Sequence, residues 1–276
     1  MSAPRRVRRA AIAVIGVTAG IAHAASPHAA GAQSLARRVA SAPSGPVQFT
    51  FAARDGVCGD GRTIISVGRG FFIENVSGLH GDIPRDQCRA GPVRVVLARG
   101  VENGEVTGVR TYVGGSERGP VTDLGAVPAR EAAAYLLGLT TRVNGKAGDR
   151  AVLAAALADS AVIWPTLLPL ARDSTLPRNT RHAVTFWLGR AAAAVATGRP
   201  DASFDDEDED DATSVRTQAV FALSQLPRNG GIPELIEVAR THRDPIVRKR
   251  AIFWLSASGD VRALAFFEDV LRGRRG

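Results

Sequence analysis

Between Val47 and Val113 the apolar residues come in short runs of strand character: Val47-Gln-Phe-Thr-Phe51, Thr63-Ile-Ile-Ser-Val67, Phe71-Phe-Ile73, Val93-Arg-Val-Val-Leu-Ala98 and Glu105-Val-Thr-Gly-Val-Arg-Thr-Tyr-Val113, punctuated by glycine. Such runs predict β-strands. Asn103-Gly104 between the last two is the favoured pair for a tight turn with positive φ and predicts a hairpin. Past Ala129 the period changes. Val215, Ala219, Ala222, Leu223 and Leu226 fall at i, i+4, i+7, i+8 and i+11, which is one stripe of a helix and is expected to be core.

The helical part repeats itself. Val215-Arg216-Thr-Gln-Ala219-Val-Phe221-Ala-Leu223-Ser224 recurs 32 residues later as Val247-Arg248-Lys-Arg-Ala251-Ile-Phe253-Trp-Leu255-Ser256. Arg130, Ala133, Tyr135 and Leu137 match the first copy at an offset of 86, and Phe186-Trp187-Leu188 echoes Phe253-Trp254-Leu255 at an offset of 67. A second helix type recurs as well: Trp164-Pro165-Thr-Leu167-Leu168 aligns with Ile232-Pro233-Glu-Leu235-Ile236 at an offset of 68. Proline in a first helical turn removes no needed donor, so both prolines mark helix starts. A helix pair repeated with a period near 30 leaves one apolar face open and buries it against the next pair, which predicts a solenoid.

Asp244-Pro245-Ile-Val247-Arg248-Lys-Arg-Ala251-Ile-Phe-Trp-Leu255 resembles the HEAT family, specifically its short bacterial repeats of the phycobilisome-lyase-like kind, and the likeness covers roughly residues 128–273. Asp244 is expected to cap the helix and Pro245 to open it. The resemblance implies a mainly α protein, an α-α superhelical HEAT-like solenoid preceded by a small disulfide-linked β-domain. Relatives of this kind include scaffolds, adaptors, lyases and a metal-dependent hydroxylase that uses His-Glu pairs. None of the five histidines here precedes a glutamate, so that activity is not carried over.

Residues 1–32 read as a cleavable export signal: Arg5, Arg6, Arg8 and Arg9 lead an apolar run from Ala10 to Ala22, and Ala30-Gly-Ala32 or Ala22-His-Ala24 offers the cut. The run is short for a membrane span, which needs about 20 apolar residues; the alternative is an uncleaved anchor. The expected address is the periplasm or the exterior, with possible envelope association and no membrane span. Residues 33–45 read as a linker, 46–118 as the β-domain and 128–273 as the helical repeats, with an acidic insertion at 201–211. Cys58 and Cys88, the only cysteines, are expected to form a disulfide in an oxidising compartment. Their spacing lacks the Cys-x-x-Cys pattern of a redox-active pair. Closing a loop of 30 residues contributes roughly 3 to 4 kcal/mol, which matters to so small a β-domain.

Charge narrows the function. The full sequence has a formal charge of +8, and removing residues 1–32, with four arginines and no acid, brings it to +4. That excess is modest and unclustered, so nucleic acid is not an expected partner. The seven consecutive acids Asp205 to Asp211 repel one another and read as a solvated insertion; they lack the glycine and distal glutamate of a calcium loop. His80, His182 and His242 stand apart, Gly59-Asp60-Gly61 reads as a turn, and no nucleophile elbow, phosphate loop or His-Glu-x-x-His helix occurs. No catalytic, cofactor-binding or metal residue is therefore assigned, and no cofactor is expected. Trp164, Trp187 and Trp254 are read as buried between repeats, the alternative being interface anchors. Arg130, Arg216 and Arg248 are read as staples between neighbouring repeats, or else as a ridge for an acidic partner. The expected function is an exported, non-enzymatic scaffold or adaptor that binds a protein or peptide on its solenoid surface. The alternative is an enzyme or enzyme subunit of the HEAT-like lyase or oxidoreductase type.

Overall fold

The computed structural model describes residues 34–68, 70–73, 88–115, 119–143, 145–198 and 211–274. The export signal, His80 and most of the acidic insertion lie outside them. Strand β1 (Val47–Phe51) pairs antiparallel with β5 (Val93–Arg99), which pairs antiparallel with β6 (Val106–Val113). On the other side β1 takes β7 (Thr122–Ala126) in parallel, giving the order β6-β5-β1-β7. The register stacks the buried residues in rows across the sheet: Phe51 beside Val93 beside Val113, and Phe49 beside Val95 beside Thr111. One face of the sheet is thus continuous core. A second, antiparallel sheet of β2 (Val57–Gly59), β3 (Ile64–Val67) and β4 (Gly70–Ile73) leans on the end of β6, where the Gly61 N–H donates to the Val113 carbonyl at 3.0 Å. Cys58 in β2 is bonded to Cys88, with 5.3 Å between their Cα atoms.

The loop between β5 and β6 is wider than a two-residue turn. The Gly100 N–H donates to the Glu105 carbonyl at 2.8 Å and the Gly104 N–H to the Gly100 carbonyl at 3.0 Å, with Gly104 at φ +65° as its position next to Asn103 requires.

Residues 33–45, read as a linker, contain helix α1 (Leu35–Ser41). Leu35 and Val39 are buried, the Leu35 N–H donates to Glu131 at 2.5 Å, and Arg38 donates to the Leu124 carbonyl, so tertiary partners hold a segment with little periodicity of its own. The sheet likewise runs past residue 118, because β7 lies between the stretch read as the β-domain and the stretch read as the helical repeats. Nor is the β region a separate body: from Ser34 onward the protein is one compact unit with one hydrophobic core. Phe49 meets Tyr135 edge-on at 6.3 Å, and the Arg54 N–H donates to the Leu157 carbonyl at 2.9 Å.

Among the described residues eight α-helices follow: α2 (Ala129–Leu139), α3 (Lys146–Ala156), α4 (Trp164–Arg172), α5 (Arg178–Thr197), α6 (Asp211–Ser224), α7 (Ile232–Thr241), α8 (Pro245–Ser258) and α9 (Val261–Leu271). Asp244 caps α8 by accepting from the Ile246 N–H, with Pro245 in the first turn, and Pro165 and Pro233 open α4 and α7. The stack does not follow the order of the sequence. Helix α5 packs against α3 and α4 and then against α8 and α9, while α6, next in the sequence, packs on α7 and α8 at the far side. Helices α5 and α8 run antiparallel: Gly189 faces Ser256, and Arg248 reaches the Ala196 carbonyl at 3.3 Å. A solenoid of pairs piled up in sequence order therefore does not describe the molecule. The first helices advance from the sheet as far as α5; the last four begin at the far end and come back to meet it.

That reversal overturns the expected core stripe on α6. Val215 is 66% and Leu226 45% exposed, and Ala219 and Ala222 are also open; the buried positions are Thr213, Thr217 and Val220. The equivalent Val247, Ala251 and Leu255 of α8 are buried, because α8 has neighbours on both sides and α6 ends the row.

Three outcomes are expected from thermal unfolding. A Cβ at residue 189 would lie 2.6 Å from the Ser256 Cβ, so Gly189→Ala lowers stability by about 1–2 kcal/mol through overpacking. Gly138→Ala, in an exposed helix position, raises it by up to about 1 kcal/mol. Breaking the bridge with Cys58→Ser plus Cys88→Ser costs roughly 3 kcal/mol.

Candidate functional site

The reversal brings α9 beside α4, and the seam between them is a concavity of about 460 Å³. Helix α4 turns Leu167, Leu168 and Ala171 inward and leaves Pro165 and Pro169 exposed. Half-buried Trp164 joins the two prolines as the apolar wall, with Leu168 beneath. At the end of the same helix Arg172 donates to Glu268 of α9, and the Arg272 Nη2 forms an ion pair with the same carboxylate at 2.7 Å. The Arg172 hydrogen bond, with the charges of Arg172 and Arg272, holds the Glu268 pKa below its ordinary value. The rim is thus a charge-compensated clamp over an apolar floor, a surface suited to an extended peptide with apolar side chains.

A second cavity, about 250 Å³, lies one residue along. Ala171 lines it, while Arg172 and Asp173 line the first. The first turns of α5 supply Arg178, Arg181 and His182, and the turn from α8 into α9 closes the other side. That turn is firmly built. Asp260 caps α9, accepting from the Arg262 N–H at 2.8 Å and from its guanidinium at 2.9 and 3.0 Å, and from Asn229 at 3.2 Å. The Arg262 side-chain hydrogen bond leads the groups that bring the Asp260 pKa down to about 2 against the burial that raises it. A third hollow, about 270 Å³, borders Trp254, whose ring lies 5.0 Å from Phe221.

The residues weighed from the sequence disperse. Trp187 is buried; Trp164 and Trp254 are half-buried at cavities, so burial between repeats holds for one of the three. Arg248 is a staple, but to carbonyls: it donates to His242, Arg243 and Ala196 at helix ends, where cations are favoured. Arg130 donates to the Ser160 carbonyl at 3.0 Å. His242 accepts the Asp244 N–H at 3.1 Å, and exposed His182 accepts from Arg178 Nε at 3.2 Å. Asp60 forms the expected turn, accepting the N–H groups of Arg62, Thr63 and Ile64; partial burial pushes its pKa up, and these bonds outweigh it and hold the carboxyl below its usual range. Among the described residues no three His, Cys, Asp or Glu side chains gather as a metal site. Arg178 and Arg181 were not singled out in the sequence; a basic residue in a helix's first turn, where the dipole disfavours it, is the signal that marks them.

Residues 207–275 match the family described as HEAT repeats. The match takes in α6 to α9, so this C-terminal segment carries HEAT repeats. No curated protein and no solved structure matches the sequence.

The Asp260 cap sets a pH signature. Its folded pKa, about 2, lies below the ordinary 3.8, so its contribution is complete above about pH 4 and is lost as pH falls through the folded value. Asp260→Ala costs about 1 kcal/mol near neutral pH. In thermal unfolding, its deficit against the natural protein stays level above about pH 4 and narrows towards pH 2.

Proposed function

We propose that the protein is an exported, non-enzymatic HEAT-repeat scaffold or adaptor that binds another protein, with the α4–α9 groove as its docking surface. HEAT repeats generally mediate protein–protein interaction, and α9 belongs to the matched segment. The observation that carries the reading is the groove itself: a half-buried tryptophan and two exposed prolines over a buried leucine, rimmed by arginines. Tryptophan and arginine are the residue types that anchor interfaces, and the volume suits a peptide segment rather than a second domain. The two HEAT-like groups, α2–α5 and α6–α9, work here as one rigid wall.

Export is supported by the basic and apolar pattern of residues 1–32 and by the Cys58–Cys88 disulfide, a bond that persists in oxidising compartments. Among the described residues no helix is long and apolar enough to cross a membrane. The proposed address is the periplasm or the cell exterior.

Photocrosslinking in intact cells tests the docking. A photoactivatable residue in place of Pro165 or Arg272 is expected to trap a discrete protein adduct, whereas one in place of Val101, which is 82% exposed on the β5–β6 loop, traps none. Trp164→Ala lowers the groove adduct at least about tenfold. Equal adducts from all three positions, or none from the groove, overturn the proposal.

A further inference from the structure

Helix α5 begins in an electrostatically unfavourable way. Its first turn holds no acid, its cap is Pro177 with no side-chain hydrogen bond, and Arg178, Arg181 and His182 crowd an end where the peptide dipoles already place positive charge. These three side chains line the cavity of about 250 Å³, whose other walls are Thr185, Leu264 and the α8–α9 turn, and none of its lining residues is acidic. Arg181 Nε is buried and has no hydrogen-bond partner. Among the described residues no carboxylate lies within ion-pair distance of Arg178 or Arg181. The nearest acids are otherwise engaged. Asp173 accepts from the Thr175 hydroxyl and N–H, which hold its carboxyl low ahead of the charge of Arg181, and Asp149 accepts from the Thr180 hydroxyl.

A buried guanidinium N–H without an acceptor is costly, and an anion in the cavity removes that cost at Arg181 while also pairing with the exposed Arg178. The volume suits one side chain or a peptide terminus; it is below the roughly 300 Å³ at which pockets begin to hold drug-sized ligands.

We propose that the Arg178/Arg181/His182 cavity is a carboxylate site that receives an acidic group of the protein partner. This rests on the partner-binding reading and adds to it the chemistry of one anchor: a carboxylate set beside the apolar segment that occupies the α4–α9 groove, since consecutive residues of α4 line both. The carboxylate comes either from an Asp or Glu side group or from the partner's own C-terminus, the shared feature being two oxygens that a guanidinium fork engages in pairs.

Titration of the purified full-length protein, followed by amide NMR shifts, tests the site without any partner. The probes are succinate, a glutamate-containing peptide with both ends blocked, a peptide whose only acid is its free C-terminus, and inorganic phosphate. Succinate and one of the two peptides are expected to saturate, with shifts centred on residues 178–185 and 257–264; which peptide saturates tells side group from terminus. Arg178→Gln, on an exposed side chain, and Arg181→Gln each weaken binding at least tenfold, and Arg110→Gln, exposed on β6 away from the cavity, leaves it within twofold. Binding by phosphate alone, no saturable binding by any carboxylate, or equal binding by the Arg178→Gln variant overturns the assignment. Groove crosslinking that persists in such a case would leave the docking proposal standing, so the two failures are separable.

Discussion

The contact on which the helical part depends is the antiparallel packing of α5 on α8. Gly189 lets it close: with no Cβ there, the backbone of α5 sits against Ser256, with Phe267 of α9 3.7 Å from where a Cβ would be. Arg248 fastens the other end by donating across to Ala196. Once α8 is held to α5 in this sense, α9 has to lie along α5 and α4, and both cavities of interest are the seams that result. Neither would exist in a stack that kept to sequence order, because α4 and α9 would then stand two pairs apart.

The same core continues into the sheet. Phe49 and Tyr135 tie β1 to α2, and the backbone beyond β1 pairs with the end of α3, where the Asp159 N–H donates to the Ala52 carbonyl at 2.9 Å. The first helices therefore have no open face towards the N-terminal side. The open end of the row is α6, which accounts for a helix whose repeat positions look like core and are exposed. The disulfide staples the small second sheet, whose strands are too short to be stable alone.

The strands and most helix starts were legible because their causes are local: alternation in β1 and β5, Pro165, Pro233 and Pro245 in first turns, and the Asp244 cap. Stacking order was not legible, because a repeat motif records that a helix has neighbours without recording which. Val215 and Val247 look alike in sequence and differ in burial only through what lies beside them. Helix α1 and strand β7 were missed for a related reason. Their hydrogen bonds to Glu131 and to the Pro46 and Thr50 carbonyls are tertiary, and β7 is mostly exposed, so no alternation marks it. Of the site, Trp164 and His182 were weighed as residues and Arg178 and Arg181 were not; nor were the concavities legible, since α9 reaches α4 only through the reversal.

Electrostatics bears on what the seams do. Every carboxyl with a resolved shift among the described residues, Asp60, Asp173, Asp260 and Glu268, is held below its ordinary pKa. Such groups stay ionised and accept from amides and guanidinium groups, whereas a general acid working near neutral pH needs its carboxyl pushed upward. The acids here serve as caps, turns and clamps. The cations follow a different rule: Arg248 and Arg130 are spent on carbonyls, Arg172 and Arg272 on Glu268, while Arg178 and Arg181 face a cavity with no acid in its lining. Positive charge gathered at one helix start, beside an apolar groove, supports the proposed docking reading, in which the complementary charge belongs to the partner.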